Sequence, residues 1–472
     1  MKATLVTLWA TVRESYWFVP SIMAFAAIVL SLAATSLDAA IGSKWIDDIG
    51  WLYANRPAGA RAVLSTVAGS MITVAGVTFS MTILSISHTT GLVGPRLLNN
   101  LMRDKGNQIT LGVFISTFLY CLMVLRTVRS AETSPQTAGS NVQSVDAFVP
   151  HFAILVGLMA AISSVGVLIY FIHHVAESIH VSNIVAGVGR ELESRIEEQF
   201  PSLVGSPNED EDKRRNSASM PEGFFDDAVQ LTSVCSGYIE YVDASGLLNI
   251  AAEHDFVVRL RHRAGDFVTP NSVLLLASPS DAVTDEISTS MQSCFVRGSQ
   301  RTAVQDLRFV INQLVEVAAR ALSPGVNDPF TAMNCMDWLR AGLEKLASRK
   351  LPDAHRYDDK QQLRLVAEPD SLEAFASLVF DQLTPYFASD SNGAIHMMET
   401  LSQLVLKTES ISRQRVLVRH GERLRKEYNR INKDLQGCGV LTNRYRAMVQ
   451  LHRSPAYRLS VVRTGDWVGS RG

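Results

Sequence analysis

The sequence contains no Cys-x-x-Cys pair, and its five cysteines (Cys121, Cys235, Cys294, Cys335, Cys438) are odd in number and scattered. That excludes a zinc ribbon, argues against a disulfide framework and fits a reducing compartment for the soluble part. A Gly-rich phosphate loop, an HExxH helix, a GxSxG elbow and a paired-carboxylate signature are all missing, so the common hydrolase and nucleotide chemistries have no anchor. The expectation is a protein that is not an enzyme and has no resident cofactor. A net charge of −2 provides no overall basic excess of the kind a nucleic-acid binder usually carries.

Charge is scarce mainly at one end. The first 175 residues hold 17 charged side chains and the remaining 297 hold 73, the latter about 25% and ordinary for a water-soluble chain. The apolar third contains four uncharged runs, Trp17–Leu37, Ala62–Ser87, Ile109–Leu125 and Val149–Ile172, each read as a membrane span. Trp17 and Phe18 stand as interfacial aromatics at the first. A cleaved signal peptide is the rival reading there, given the small residues of Ala33-Ala34-Thr35 and Asp38-Ala39-Ala40. The run is long for that purpose and begins only after Arg13 and Glu14. No Asp, Glu, Lys or Arg lies inside any run, which argues against a proton-coupled pump.

An even number of spans puts both termini on one side. Lys2, Arg13, Arg96, Arg103 and Lys105 then face Lys44, Arg56, Arg61, Arg126 and Arg129 across the bilayer. Arg190 and Arg195 tip the balance toward cytoplasmic N and C termini. The polar stretch Ser130–Val145 becomes an outer loop. Pro95 is expected to start a short helix whose Leu97, Leu98, Leu101 and Met102 face lipid or the soluble domain.

The second span carries nine hydroxyls. At about 100° per residue, Thr66, Ser70, Thr73, Ser80 and Ser87 share one side, and Thr78, Thr82 and Ser85 another. Gly69 and Gly76 permit close backbone approach. The side reads either as the lining of a passive path in a homo-oligomer or as helix packing, and backbone-bonded hydroxyls suit the second.

Beyond the spans, Val181, Ile184, Val185, Val188, Leu192 and Ile196 recur at helical spacing, extending the fourth span as a stalk over 176–200. A linker follows at 201–223. Residues 224–280 read as a small β-rich module: a strand at Gly237–Val242, a helix capped by Asp243, strands at Phe256–Arg261 and Ser272–Ala277, and a turn at Gly265-Asp266. The phrase Gly265-Asp266-Phe267-Val268 resembles biotinyl- and lipoyl-type barrels, although the chain has no lysine between Lys213 and Lys345 to carry such a group. Residues 281–450 read as a helical domain, with Asp328 as N-cap and Pro329 at the first helical position, and 451–472 as a flexible tail. The expected fold is therefore a four-span α-helical membrane domain (1–175) with a cytoplasmic α+β region, a barrel-like module followed by helices.

Two clusters are candidate sites. His173, Glu177 and His180, at i, i+4 and i+7, would share a helix face and offer three ligands to a divalent metal or sense pH. His174 and His88 are placed at the same membrane level. Polar anchoring at the membrane exit is the alternative. Arg301, Gln305, Asp306, Arg320, Asn327 and Asp328 surround the Ser323–Asp328 turn and could form an anion- or nucleotide-binding pocket for a small ligand. Capping and ion pairing explain the same residues.

The segments Trp17-Phe18-Val19-Pro20, Leu64–Met71, Pro95–Leu98, Gly106-Asn107-Gln108, Val124–Arg129, Phe171–His174, Gly265–Val268, Arg301-Thr302 with Gln305-Asp306, and Ala319–Pro329 together resemble those of one bacterial family, the predicted membrane proteins called domain of unknown function 2254. The resemblance implies a bacterial inner-membrane protein and brings no activity with it. With the hydroxyl-rich span it leads to the expectation of a homo-oligomeric, channel-like or transport-related protein with a regulatory cytoplasmic domain. The alternative expectation is a membrane-anchored sensor or scaffold.

Overall fold

A computed structural model describes residues 15–41, 57–94, 104–129, 148–178, 180–200, 220–349, 351–432 and 435–465. The short helix expected after Pro95, the polar loop 130–145 and nearly all of the 201–223 linker lie outside these residues. The chain divides into two compact units, one centred on the apolar third and the other holding Val181 onward together with Leu92–Gly94.

In the first unit, α1 (Phe18–Ile41), α2 (Pro57–Val93), α3 (Lys105–Thr127) and α4 (His151–Ser178) are each long and apolar enough to cross a membrane. All four outrun the uncharged runs that announced them, because a helix does not stop at its first polar residue. α1 thus takes in Asp38, α2 takes in Arg61, and α3 begins at Lys105. The most enclosed helix is α3, with half of its apolar window buried against 22–28% for the others. Gly112 of α3 lets α1 approach, since a Cβ there would meet the Pro20 backbone at 3.4 Å. Tyr120 Oη donates to the Ala153 carbonyl of α4 at 2.9 Å, and Thr117 and Ser164 share a hydrogen bond at 3.2 Å.

The fourth span does not continue as one stalk. α4 ends at Ser178 and α5 (Val181–Gln199) is a separate helix. The apolar stripe of α5, Ile184, Val185, Val188, Leu192 and Ile196, is buried within the second unit. Gly189 lies against the Trp338 ring and Gly342 against Leu192, so the stripe packs on its own chain.

Strands β1 (Val229–Thr232), β2 (Gly237–Val242), β3 (Val257–Leu260), β4 (Phe267–Val268), β5 (Val273–Ser278) and β6 (Phe295–Gly298) are joined by α6 (Ala244–Glu253) and α7 (Asp285–Ser293). Next come α8 (Leu307–Ala321), α9 (Pro329–Ala347), β7 (His355–Tyr357) and β8 (Leu363–Val366). Among the described residues the strands form two open sheets, ordered β1-β5-β3-β8-β7 and β4-β2-β6, not the expected barrel. The physical reason is β8: it pairs parallel to β3, so a strand from the "helical domain" takes the position a closing strand would need. The boundary placed at 280/281 therefore runs through one sheet. Asp243 and Asp328 cap α6 and α9 through Gly246 N and Thr331 N, as the sequence implied.

The C-terminal layer holds α10 (Leu372–Phe387), α11 (Ser391–Lys407), α12 (Ile411–Ile431), α13 (Leu435–Arg453) and α14 (Pro455–Thr464). Pro455 opens a helix instead of a flexible tail. Ser454 caps it through Tyr457 N, and Pro at the first helical position loses no hydrogen bond.

Candidate functional site

The side of α2 that packs within its unit is marked by the buried residues Ala60, Leu64, Ala68, Met71, Ala75, Thr78 and Thr82. At about 100° per residue, Thr66, Ser70, Thr73, Ser80 and Ser87 fall on the opposite side, and all five are exposed. The two hydroxyl groups are thus physically distinct: Thr78 and Thr82 are internal, and the other five look away from the bundle. A Cβ added at Gly69 or Gly76 would meet nothing within 4 Å among the described residues, so these glycines leave room for the close approach of a neighbour. Ser70 Oγ donates to the Thr66 carbonyl and Thr73 Oγ1 to the Gly69 carbonyl, each at 2.8 Å. Their protons are engaged within the helix, which lowers the cost of an apolar environment and leaves the oxygen lone pairs outward.

At one end of the bundle Asp104 caps α3 through Gly106 N at 2.9 Å and binds His174 Nε2 at 2.7 Å. His174 stacks on Tyr170. Asn107 Oδ1 and Thr110 Oγ1, on the same edge of α3, are buried without a hydrogen-bond partner among the described residues. At the other end Asp38 accepts from Phe152 N and Ala153 N, both at 2.9 Å, and Arg61 donates to the Val128 carbonyl at 2.9 Å. Asp38 thereby caps α4 across more than 110 residues of chain. Sequence reading missed it because an N-cap is sought immediately before its own helix. Its only signal was an acid at the edge of an apolar run.

His173 and Glu177 are 3.4 Å apart and well exposed. His180 lies beyond the end of α4, with its N–H bonded to the Glu177 carbonyl, so it is not carried on the shared helix face the spacing implied. Among the described residues no group of three His, Cys, Asp or Glu side chains is gathered for a metal.

The polar set of the second unit divides in two. Arg301, Gln305 and Asp306 sit at the start of α8, whereas Arg320 sits in its last turn and Asn327 and Asp328 past its end, some 20 Å away at 1.5 Å per residue. Arg320 pairs with Glu316 at 3.6 Å, and Asp328 is engaged by Thr331. The first half joins a network that sequence order concealed. Asp306, 3% exposed, accepts from Arg301 Nε at 2.9 Å and Arg308 Nε at 3.3 Å. Arg308 also reaches Asp266 at 2.9 Å and Asp370 at 3.7 Å, and Arg263 pairs with Asp370. Gly265, at φ +88°, lies so close to Asp306 that a Cβ would overlap its carboxylate.

Burial works against ionisation of Asp266, but Arg308 and the Arg263 N–H hold its carboxyl below the usual range. Asp370 moves the other way, because burial outweighs the pull of Arg263 and Arg308. Beside the network is a cavity of about 380 Å³ lined by Arg263, Asp306, Arg308, Leu260, Phe200 and Phe375. A second, of about 420 Å³, shares Arg263 and Asp370. Fixed opposite charges with apolar walls suit a small ligand bearing both polar and apolar parts. Arg308 and Asp370 were not singled out from the sequence; the Gly265-Asp266 phrase was the available hint.

The family described as predicted membrane protein (DUF2254) matches residues 13–403. An uncharacterised protein of Mycobacterium tuberculosis and another of Mycobacterium bovis are each 32% identical over 317 residues, 66% of this chain and 57% of the relative. The matched region thus spans little more than half the length of these relatives. No solved structure matches.

Proposed function

Because this chain belongs to the family of predicted membrane proteins DUF2254, we infer that it is a homo-oligomeric, channel-like or transport-related protein of the bacterial inner membrane. In this reading both termini are cytoplasmic and the second unit regulates the first. The observation that carries it is the outward side of α2: five hydroxyls with Gly69 and Gly76, opposite the packed face. Lipid tails offer no reason to expose such a side, whereas close approach of a second α2 or contact with water does. Backbone-bonded hydroxyls present acceptor oxygens without fixed charge, which suits passive passage better than ion-coupled pumping.

Full-length protein reconstituted in vesicles is the test. The expected result is an oligomer by native mass measurement and a flux of small ions or solutes. Replacing Ser70, Thr73 and Ser80 by Leu would reduce that flux. A monomer without flux overturns the proposal.

A second reading, a membrane-anchored sensor, is favoured by the cavity at Asp306 and Arg308. A small molecule that co-purifies with the protein and is lost in Asp306→Ala would support it. Both readings are non-enzymatic.

A further inference from the structure

The near-neutral chain hides a local imbalance. Residues 411–465 contain thirteen Lys and Arg against three Asp and Glu, a net +10, while the whole chain carries −2. This stretch lies outside the family match, which ends at residue 403, and it forms α12, α13 and α14.

Arg413, Arg423 and Arg444 pair with Glu373, Asp381 and Glu399 of the neighbouring helices, and part of the remaining charge faces outward on α12. α12 buries Gln414, Leu417, His420, Gly421, Leu424 and Tyr428. At about 100° per residue, Arg415, Arg419, Lys426 and Arg430 fall on the opposite face, and all are exposed. α13 runs alongside, with His452 Nδ1 bonded to Gln414 at 3.0 Å and Arg425 over the Tyr445 ring. Arg453, next to His452, therefore lies near the Arg415 end of α12. Lys426 and Arg430 have the acidic neighbours Glu422 and Glu427. Among the described residues, Arg415, Arg419, Arg453 and Arg463 have no ion pair and are exposed. Cations left without counterions on a solvent face are suited to an external anionic partner.

We propose that α12, α13 and α14 form a docking surface for anionic phospholipid headgroups. The chain belongs to a membrane family, so a bilayer is always tethered to this domain at high effective concentration. Guanidinium groups bind phosphate oxygens in pairs. The feature that selects lipid over nucleic acid is apolar: Leu459 and Val462, 59% and 63% exposed, stand one turn apart on α14 beside Arg463. Two exposed apolar side chains beside a cation can meet acyl chains while the guanidinium stays among the headgroups. A nucleic-acid groove would present stacking aromatics instead.

The test uses full-length protein in nanodiscs of phosphatidylcholine alone or mixed with phosphatidylglycerol. Cys235 and Cys438 are replaced by Ser, and Val462→Cys carries an environment-sensitive fluorophore. A blue shift is expected only in the anionic discs, and about 1 M salt should reverse it. Each basic residue near such a surface strengthens association about fivefold. The variant Arg415→Gln, Arg419→Gln, Arg453→Gln, Arg463→Gln should therefore weaken the bound state on the order of 100-fold or more. Its melting temperature should stay at the parent value, since none of the four side chains is in an internal ion pair. Equal emission in both discs overturns the proposal, and so does a shift indifferent to salt and to the four substitutions. A shift produced in neutral discs by added duplex DNA, and not by phosphatidylglycerol, replaces lipid by nucleic acid.

Discussion

Asp104 and His174 meet at 2.7 Å, joining the N-cap of the third apolar helix to the last turns of the fourth. One carboxylate thus closes two structural needs, because its other oxygen accepts the Gly106 N–H. Asp104→Ala removes the cap and the link together and should lower stability by about 1–2 kcal/mol. His174→Ala removes only the link. The double variant should fall short of the sum of the singles, as measured by thermal unfolding of the detergent-solubilised protein.

Asp38 offers a graded test. Its two oxygens serve Phe152 N and Ala153 N at the start of α4. Asp38→Asn keeps one acceptor and Asp38→Ala none, so melting temperatures should fall in the order parent, Asn, Ala. The Ala variant should lose about 1–2 kcal/mol or more. Equal melting of all three would remove the capping role.

Gly265 should tolerate no side chain. Its φ of +88° disfavours L-residues, and a Cβ would displace the Asp306 carboxylate from Arg301 and Arg308. Gly265→Ala is expected to cost about 2–4 kcal/mol. Urea unfolding should show a lower midpoint with little change in slope.

Acid should weaken the C-terminal helices through His420. Burial lowers its affinity for a proton, Asp381 opposes this, and Arg423 and Arg419 add to it. With the folded value depressed, the unfolded chain binds the proton first as pH falls below about 6.5. Stability is then complete above that pH and declines as pH falls toward the lower folded value. His420→Gln should flatten this part of the stability–pH curve; an unchanged curve would exclude His420 as its source.

Local structure was widely readable. The four apolar helices, the caps Asp243 and Asp328 and the strand at Gly237–Val242 follow from hydropathy, periodicity and capping chemistry, which act over a few residues. The two hydroxyl groups of α2 also separated correctly on a helical wheel. Reading failed where partners are remote. The Arg308 network draws on residues 263–266, 301–308 and 370, and only folding makes them neighbours. The Arg301 and Asp328 sets, close in sequence and alike in composition, are held apart by the rigid length of α8.

The sequence by itself determined a chain with four bilayer-length apolar helices and a charged remainder, because span length and charge density depend on composition alone. Tertiary structure decided which side of α2 is left open, that Asp38 caps a helix far along the chain, and that β8 enters the sheet beside β3 and leaves it unclosed. These outcomes depend on which surfaces bury one another, and burial is a property of pairs of elements that no single stretch of sequence contains.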